Sequence, residues 1–183
     1  MSNYRRERLP GGIFFFTVVT AGRRPILTTD VARALLRGVV SEVRNEYPFA
    51  VEAWVLLPDH LHCIWTLPDG DMDFSRRWGL IKAGFSKRAE GMLDDTSQDS
   101  ASRKKHREST IWQRRFWEHR IRNEEDYRRH MDYIHFNPVK HGLVEHVQDW
   151  PYSTFHRYVG ADVYPGSWGS EEAIIDDTGE FGE

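Results

Sequence analysis

The 183 residues carry 25 Lys and Arg against 28 Asp and Glu, a formal charge of −3, with a single cysteine, Cys63. That length sustains one domain with a real core, and one cysteine excludes an intrachain disulfide or a cysteine-based zinc cage and fits a reducing compartment. No apolar run reaches the ~18 residues of a membrane-spanning helix, and Ile13-Phe14-Phe15-Phe16 is too short for a signal peptide, so a cytoplasmic protein is expected.

Residues 12–20 (GIFFFTVVT) are β-branched and aromatic and predict a central strand. Thr29 or Asp30 caps a first helix, with Val31, Leu35, Leu36, Val39, Val40 and Val43 at helical spacing and Pro48 beyond its end. Residues 49–57 predict a second strand, Pro58-Asp59 a tight connection, and residues 61–67 a third strand. Asp73 or Ser75 opens a second helix to about Met92, with Phe74, Trp78, Ile81 and Phe85 on one face. Residues 93–109 are polar and predict a mobile loop, and residues 110–121 a fourth strand. Asn123 caps a third helix, followed by Glu124, Glu125 and Asp126, which favour its dipole. This helix is expected to run to about Phe136, because Pro138 disfavours helical geometry at the residue before it.

The order strand, helix, strand, strand, helix, strand, helix predicts an α+β fold: a split βαββαβ antiparallel sheet, helices on one face, with an appended C-terminal segment. Residues 1–160 make the domain. Residues 161–183 form an acidic tail with seven carboxylates and no Lys or Arg, which leaves about +4 on the rest. The positive residues cluster beside Trp78, Phe85, Trp112, Phe116 and Trp117, a pairing that suits nucleic acid, since bases stack on aromatic rings while basic groups hold phosphates. Arg76, Arg77, Lys82, Lys87 and Arg88 on the second helix, with Arg114 and Arg115, are the candidate phosphate contacts, and Arg5, Arg6 and Arg8 a candidate arm.

Two segments carry chemistry. In Pro58-Asp59-His60-Leu61-His62 the strand period of two projects both imidazoles to one side and Leu61 to the other, so the pair can reach one ion. With only two nitrogens, oxygen donors must complete the shell; Mg²⁺ or Mn²⁺ acting on a phosphate is plausible and zinc stays open. In Tyr133-Ile134-His135-Phe136-Asn137-Pro138 a phenol is followed one helical turn later by an amide on nearly the same face. Asn137 can offer its amide oxygen to the same cation, and a tyrosine nucleophile suits transesterification at a phosphodiester. His119 is a possible auxiliary ligand or proton carrier. His130, His135, His141 and His156 are expected on helix or loop surfaces.

GGIFFFTVVT, AWVLLPDHLHCIWTLPDGD, WGLIKAGFSKR, FWEHRIRNEEDYRRHMDYIHFNPVKHGLV and DWPYSTFHRYV together resemble the REP-associated tyrosine transposases, relatives of the single-tyrosine transposases of the HUH endonuclease superfamily. The resemblance spans about residues 5–169. It implies a ferredoxin-like fold, a divalent metal on His60 and His62, and Tyr133 as nucleophile. It further implies cleavage of single-stranded DNA to a 5′-phosphotyrosine and a free 3′-OH, on strands of repetitive extragenic palindromes that fold into hairpins. Relatives in mobile elements place a glutamine four residues after the tyrosine as third ligand; Asn137 stands there, shorter by one methylene. A binder of such hairpins without turnover is the alternative, though it has no use for His60, His62 and Tyr133 together. Monomer and dimer both remain open.

Overall fold

The computed structural model describes residues 11–93 and 111–169. The Arg5–Arg8 cluster, nearly all of the 93–109 loop and the tail after Gly169 lie outside them. Four strands, β1 (Ile13–Val19), β2 (Ala50–Leu56), β3 (His60–Thr66) and β4 (Trp117–Arg120), form one sheet in the order β2-β3-β1-β4. Every neighbouring pair is antiparallel. With α1 (Asp30–Glu46) and α2 (Phe74–Ala89) in the crossovers this is the ferredoxin-like βαββαβ arrangement. The appended helix α3 (Glu124–Lys140) and a short α4 (Phe155–Val159) complete it. Among the described residues no helix is long and apolar enough to cross a membrane.

The helices of the βαββαβ unit share one face of the sheet as expected, and α3 takes the other. Phe14, Phe16 and Val18 of β1 meet Leu61, Cys63 and Trp65 of β3 under Leu36, Val39 and Val43 of α1 and Trp78, Ile81 and Phe85 of α2. Trp65 and Trp78 stack there with centroids 4.3 Å apart. Each fully buried ring of this kind contributes ~1.5–3 kcal/mol. Gly84 lets the two helices close up: a Cβ there would lie 3.0 Å from Val39 Cγ1. On the other face Phe15, Ala53, Val55 and Ile64 pack against Met131, Tyr133 and Ile134 of α3. Both faces of β1 are therefore covered, which is why its sequence is apolar without alternation.

Local signals placed most ends. Thr29 caps α1, Asp73 caps α2 and Asn123 caps α3, each accepting from the backbone N–H three residues on. Two expectations need correction. The fourth strand is only Trp117–Arg120; ahead of it the chain makes a single bridge, Thr20 to Trp112. The third helix does not stop before Pro138 but runs through it to Lys140. Proline removes just one donor, the one aimed at the Ile134 carbonyl, and the His141 N–H resumes the pattern on the Asn137 carbonyl at 3.0 Å.

The C-terminal segment closes the exposed edge of β2. Leu56 N–H donates to the Tyr152 carbonyl and Thr154 N–H to the Trp54 carbonyl, both at 2.9 Å, so the edge is not left open to pair with another chain. The body also runs past residue 160: Tyr164 donates to Asp132 at 2.6 Å and Trp168 packs on Phe155 and Phe136.

Arg77 lies inside the fold at 2% exposure. Its guanidinium donates to both Asp71 carboxylate oxygens (2.6 and 3.1 Å) and to the carbonyls of Tyr47, Pro48 and Asp73. It thus staples two loops to α2 and is not available to a phosphate. Replacing it strands buried carbonyls, so Arg77→Ala is expected to cost about 3 kcal/mol in urea unfolding. The Arg77 hydrogen bonds hold the Asp71 carboxyl below its ordinary 3.8. That contribution is complete above the ordinary carboxylate range and is lost as pH falls through the lowered value. Stability should therefore decline below about pH 4 in the native chain, and that acid limb should flatten in Arg77→Ala.

Candidate active site

The β1–β3 register sets the site. Thr17 stands opposite His62 and Val19 opposite His60, so both imidazoles face the α3 side, with Leu61 on the other. The His60 and His62 rings are 4.9 Å apart, centroid to centroid. Each is fixed through Nδ1: His60 to Asp59 Oδ1 at 2.6 Å and His62 to Thr17 Oγ1 at 2.9 Å. A carboxylate behind a ligand histidine is the common outer-shell arrangement for a metal-binding imidazole. Burial alone would push the Asp59 carboxyl up, but the hydrogen bonds from His60 and Arg23 win and hold it below its ordinary value, hence ionised.

Helix α3 delivers the other groups. Tyr133 packs edge-on to His62 at 5.3 Å and His141, just past the helix end, edge-on to His60 at 5.1 Å. Positions 133, 137 and 141 follow one another at intervals of four along one helix face. Asn137, fully buried, thus sits between a residue against His62 and a residue against His60. Two imidazole nitrogens and one amide oxygen, each backed by a fixed partner or a rigid helix, fit a divalent cation that keeps oxygen positions for water or phosphate. Lys140 places its ammonium 4.8 Å from the Tyr133 ring centroid. Phe15 is the floor, stacked on His62 at 5.5 Å and edge-on to Tyr133 at 6.1 Å.

Beyond Phe15 lies a second polar cluster. His119, Asp126 and His130 offer ligand atoms all within 4.8 Å of one another. His119 Nε2 donates to the Asp126 carboxylate at 2.9 Å, the Arg122 N–H donates to the same oxygen at 3.0 Å, and His130 Nδ1 donates to the Asp126 carbonyl at 2.8 Å. Burial opposes the charge on Asp126, yet these donors keep its carboxyl below the ordinary range. The cluster ties β4 to the first turn of α3.

Several expectations shift in the structure. His130 and His135 are buried rather than on the helix surface, and burial drives the His135 imidazole down to about 3. Of the basic residues, Arg76 donates to Tyr47 at 2.6 Å and Arg88 to Glu42 at 2.6 Å, while Lys82 donates to the carbonyls of Gln113 and Arg115. Lys87, Arg114 and Arg115 are exposed. All these sit on or beside α2, across the sheet from the histidines. Sequence reasoning missed Thr17, Lys140 and His141; the alternation of β1 and the i,i+4 series from Tyr133 were the signals that could have found them.

Residues 13–137 match the family described as "Transposase IS200 like". The chain is 48% identical over 171 residues to the REP-associated tyrosine transposase of Escherichia coli (strain K12), covering 93% of each sequence. It is 45% identical over 169 residues to a putative REP-associated tyrosine transposase of Haemophilus influenzae, covering 92% of this chain and 94% of the relative. A solved structure of a REP-associated tyrosine transposase bound to a REP hairpin superposes with a TM-score of 0.75, at 47% identity, over 92% of this chain and 91% of that one. With the matched family model spanning most of the chain and full-length relatives close to half identical, the protein belongs to the IS200-like transposases, and within them to the REP-associated tyrosine transposases, enzymes whose family implies a divalent metal.

Proposed function

We propose that the protein is a metal-dependent endonuclease and strand transferase for single-stranded DNA, acting on hairpins of repetitive extragenic palindromes in the cytoplasm, on the nucleoid. The observation that carries this reading is the placement of a helix-borne phenol, Tyr133, 5.3 Å from His62 in a site shared with His60. A relative with 47% identity is bound to a REP hairpin, which supports the substrate class.

In this reading Tyr133 Oη attacks the scissile phosphorus. One P–O(Tyr) bond forms and the P–O3′ bond breaks; the phenol loses its proton and the departing 3′ oxygen gains one. The phosphotyrosine conserves the energy of the ester, so a second 3′-OH can reverse the step without ATP. His60 and His62, with the Asn137 amide oxygen, would hold Mg²⁺ or Mn²⁺. When bound, the ion supplies Lewis-acid polarisation of the phosphate. Lys140 brings positive charge beside the phenol, where negative charge returns when the ester is resolved. Asp59 and Thr17 orient the imidazoles.

Tyr133→Phe should abolish the covalent protein–DNA band on a denaturing gel and reduce cleavage of a labelled hairpin to background, while hairpin affinity changes less than about twofold because the ring remains. Undiminished cleavage by this variant would refute the nucleophile, and tight binding without any adduct in the native chain would favour the pure binder. Asp59→Asn should weaken Mn²⁺ binding by about 10- to 100-fold in calorimetric titration. EDTA should remove cleavage and Mn²⁺ restore it; cleavage indifferent to EDTA would remove the metal from the reading.

A further inference from the structure

β4 is the outer strand of the sheet, and its histidine faces the start of α3. His119 stands opposite Phe15 in the β1–β4 register and so shares the sheet face of His60 and His62, on the far side of the Phe15 ring. From α3, Asp126 and His130 come to the same place because they are one helical turn apart. The strand thus supplies one imidazole, and the helix an imidazole and a carboxylate.

The three groups converge. The His119 and His130 rings lie almost parallel, 12° between their planes, with centroids 4.6 Å apart. Each ring brings a nitrogen to a different oxygen of one carboxylate: His119 Nε2 is 2.9 Å from Asp126 Oδ2, and His130 Nδ1 is 3.1 Å from Oδ1. Among the described residues this is the one group of three His, Cys, Asp or Glu side chains whose ligand atoms all lie within 4.8 Å of one another. His130 is enclosed, whereas the His119 and Asp126 side chains keep 22% and 19% of their surface, so the cluster opens to solvent on one side.

The surroundings suit a cation. The carboxylate is braced from behind, since the Arg122 N–H donates to Asp126 Oδ2 at 3.0 Å and the Asp126 N–H donates to the Asn123 cap at 2.8 Å. Such bracing is what fixes a metal-binding carboxylate. Burial holds the His130 imidazole below its ordinary 6.5 and so in the neutral, ligating form. Two imidazole nitrogens and one carboxylate oxygen, with an open side for water, are the donor set of three-ligand zinc sites. Nitrogen donors favour an ion late in the divalent series over Mg²⁺.

We propose that His119, Asp126 and His130 form a second metal centre, separate from the His60–His62 site, which takes Zn²⁺ or a similar transition ion and clamps β4 to the first turns of α3. Binding exchanges the His119 N–H donor to Asp126 for the ion. The clamp holds the start of the helix on which Tyr133 follows His130 by three residues. It stands independently of the proposed reaction.

The test is the zinc stoichiometry of full-length protein after equilibrium dialysis against buffered Zn²⁺. The native chain should hold two ions, His119→Gln one, His62→Gln one, and the double variant none. Asp126→Asn keeps an acceptor for the Arg122 N–H but removes the charge, and carries the test should His119→Gln not fold. It should weaken the second centre about 100-fold, since losing a ligand costs at least as much as losing an outer-shell partner. In His62→Gln, Zn²⁺ should slow amide hydrogen exchange across β4 and the first turns of α3, and in the double variant it should not. A native chain that holds one ion, removed by His62→Gln and kept by His119→Gln, overturns the second centre and leaves the proposed function standing. Two ions retained in both His119→Gln and Asp126→Asn place the second ion elsewhere and overturn it as well. One ion lost in His119→Gln and kept in His62→Gln supports the second centre, and the His60–His62 site is then judged by its own Mn²⁺ titration. A native chain that holds no zinc overturns the second centre outright.

Discussion

The register of β1 against β3 is the constraint on which the rest of the molecule depends. Thr17 opposite His62 and Phe16 opposite Cys63 assign each residue to one of two unlike layers. A slip of one residue would turn His60 and His62 into the Phe14–Phe16–Trp65 layer under α1 and α2, and Leu61 and Cys63 toward α3. Because both layers are buried, such a slip costs two polar rings placed among aromatics and breaks the Thr17 hydrogen bond at once. The ladder that holds the sheet together is thereby the device that aims both imidazoles to one side.

That double burial also explains why the site is rigid. Tyr133 and both histidines are enclosed, and each imidazole is fixed by a neighbour from its own sheet, Asp59 from the β2–β3 connection and Thr17 from β1. In a weakly polarisable setting such hydrogen bonds are stronger than in water, so both rings are held in place by the sheet itself. Phe15 then separates this centre from the His119–Asp126–His130 cluster, since its ring touches His62 on one side and His130, at 4.8 Å, on the other. Two groups of histidines on one sheet face remain distinct because one aromatic residue stands between them.

Much of this was legible in the sequence, and the parts that were not share a cause. The strand period gave the common face of His60 and His62, and capping chemistry pointed to Asn123 outright and narrowed the other starts to Thr29 or Asp30 and Asp73 or Ser75, of which Thr29 and Asp73 are the caps. The apolar run of β1 marked a central strand, while the expectation of helices on one face left out α3, which covers the face opposite α1 and α2. Charge was the poorer guide. Arg77 follows Phe74 by three residues and precedes Ile81 by four, which places it on the buried face of α2, yet its type suggested solvent or phosphate. Local sequence does not show which carbonyls a distant loop leaves without donors, and the Tyr47–Pro48 turn was what recruited it. Pro138 misled for the opposite reason: a local rule was applied where neighbours already held the helix, and Asn137 kept helical geometry one position before the proline.

The C-terminal segment joins these threads. An edge strand such as β2 needs a cover, and a plain strand would have sealed it with backbone alone. Here the cover is Tyr152, Thr154 and Arg157, the last donating to the carbonyls of Val51 and Glu52, so side chains share the closure with the backbone. Thr154 meets β2 through the Trp54 backbone and α3 through His135, which makes the position of α3 on the sheet depend on the same residue. The residue that closes the sheet edge therefore also steadies the helix that carries Tyr133 and Asn137, through one hydroxyl and no longer relay.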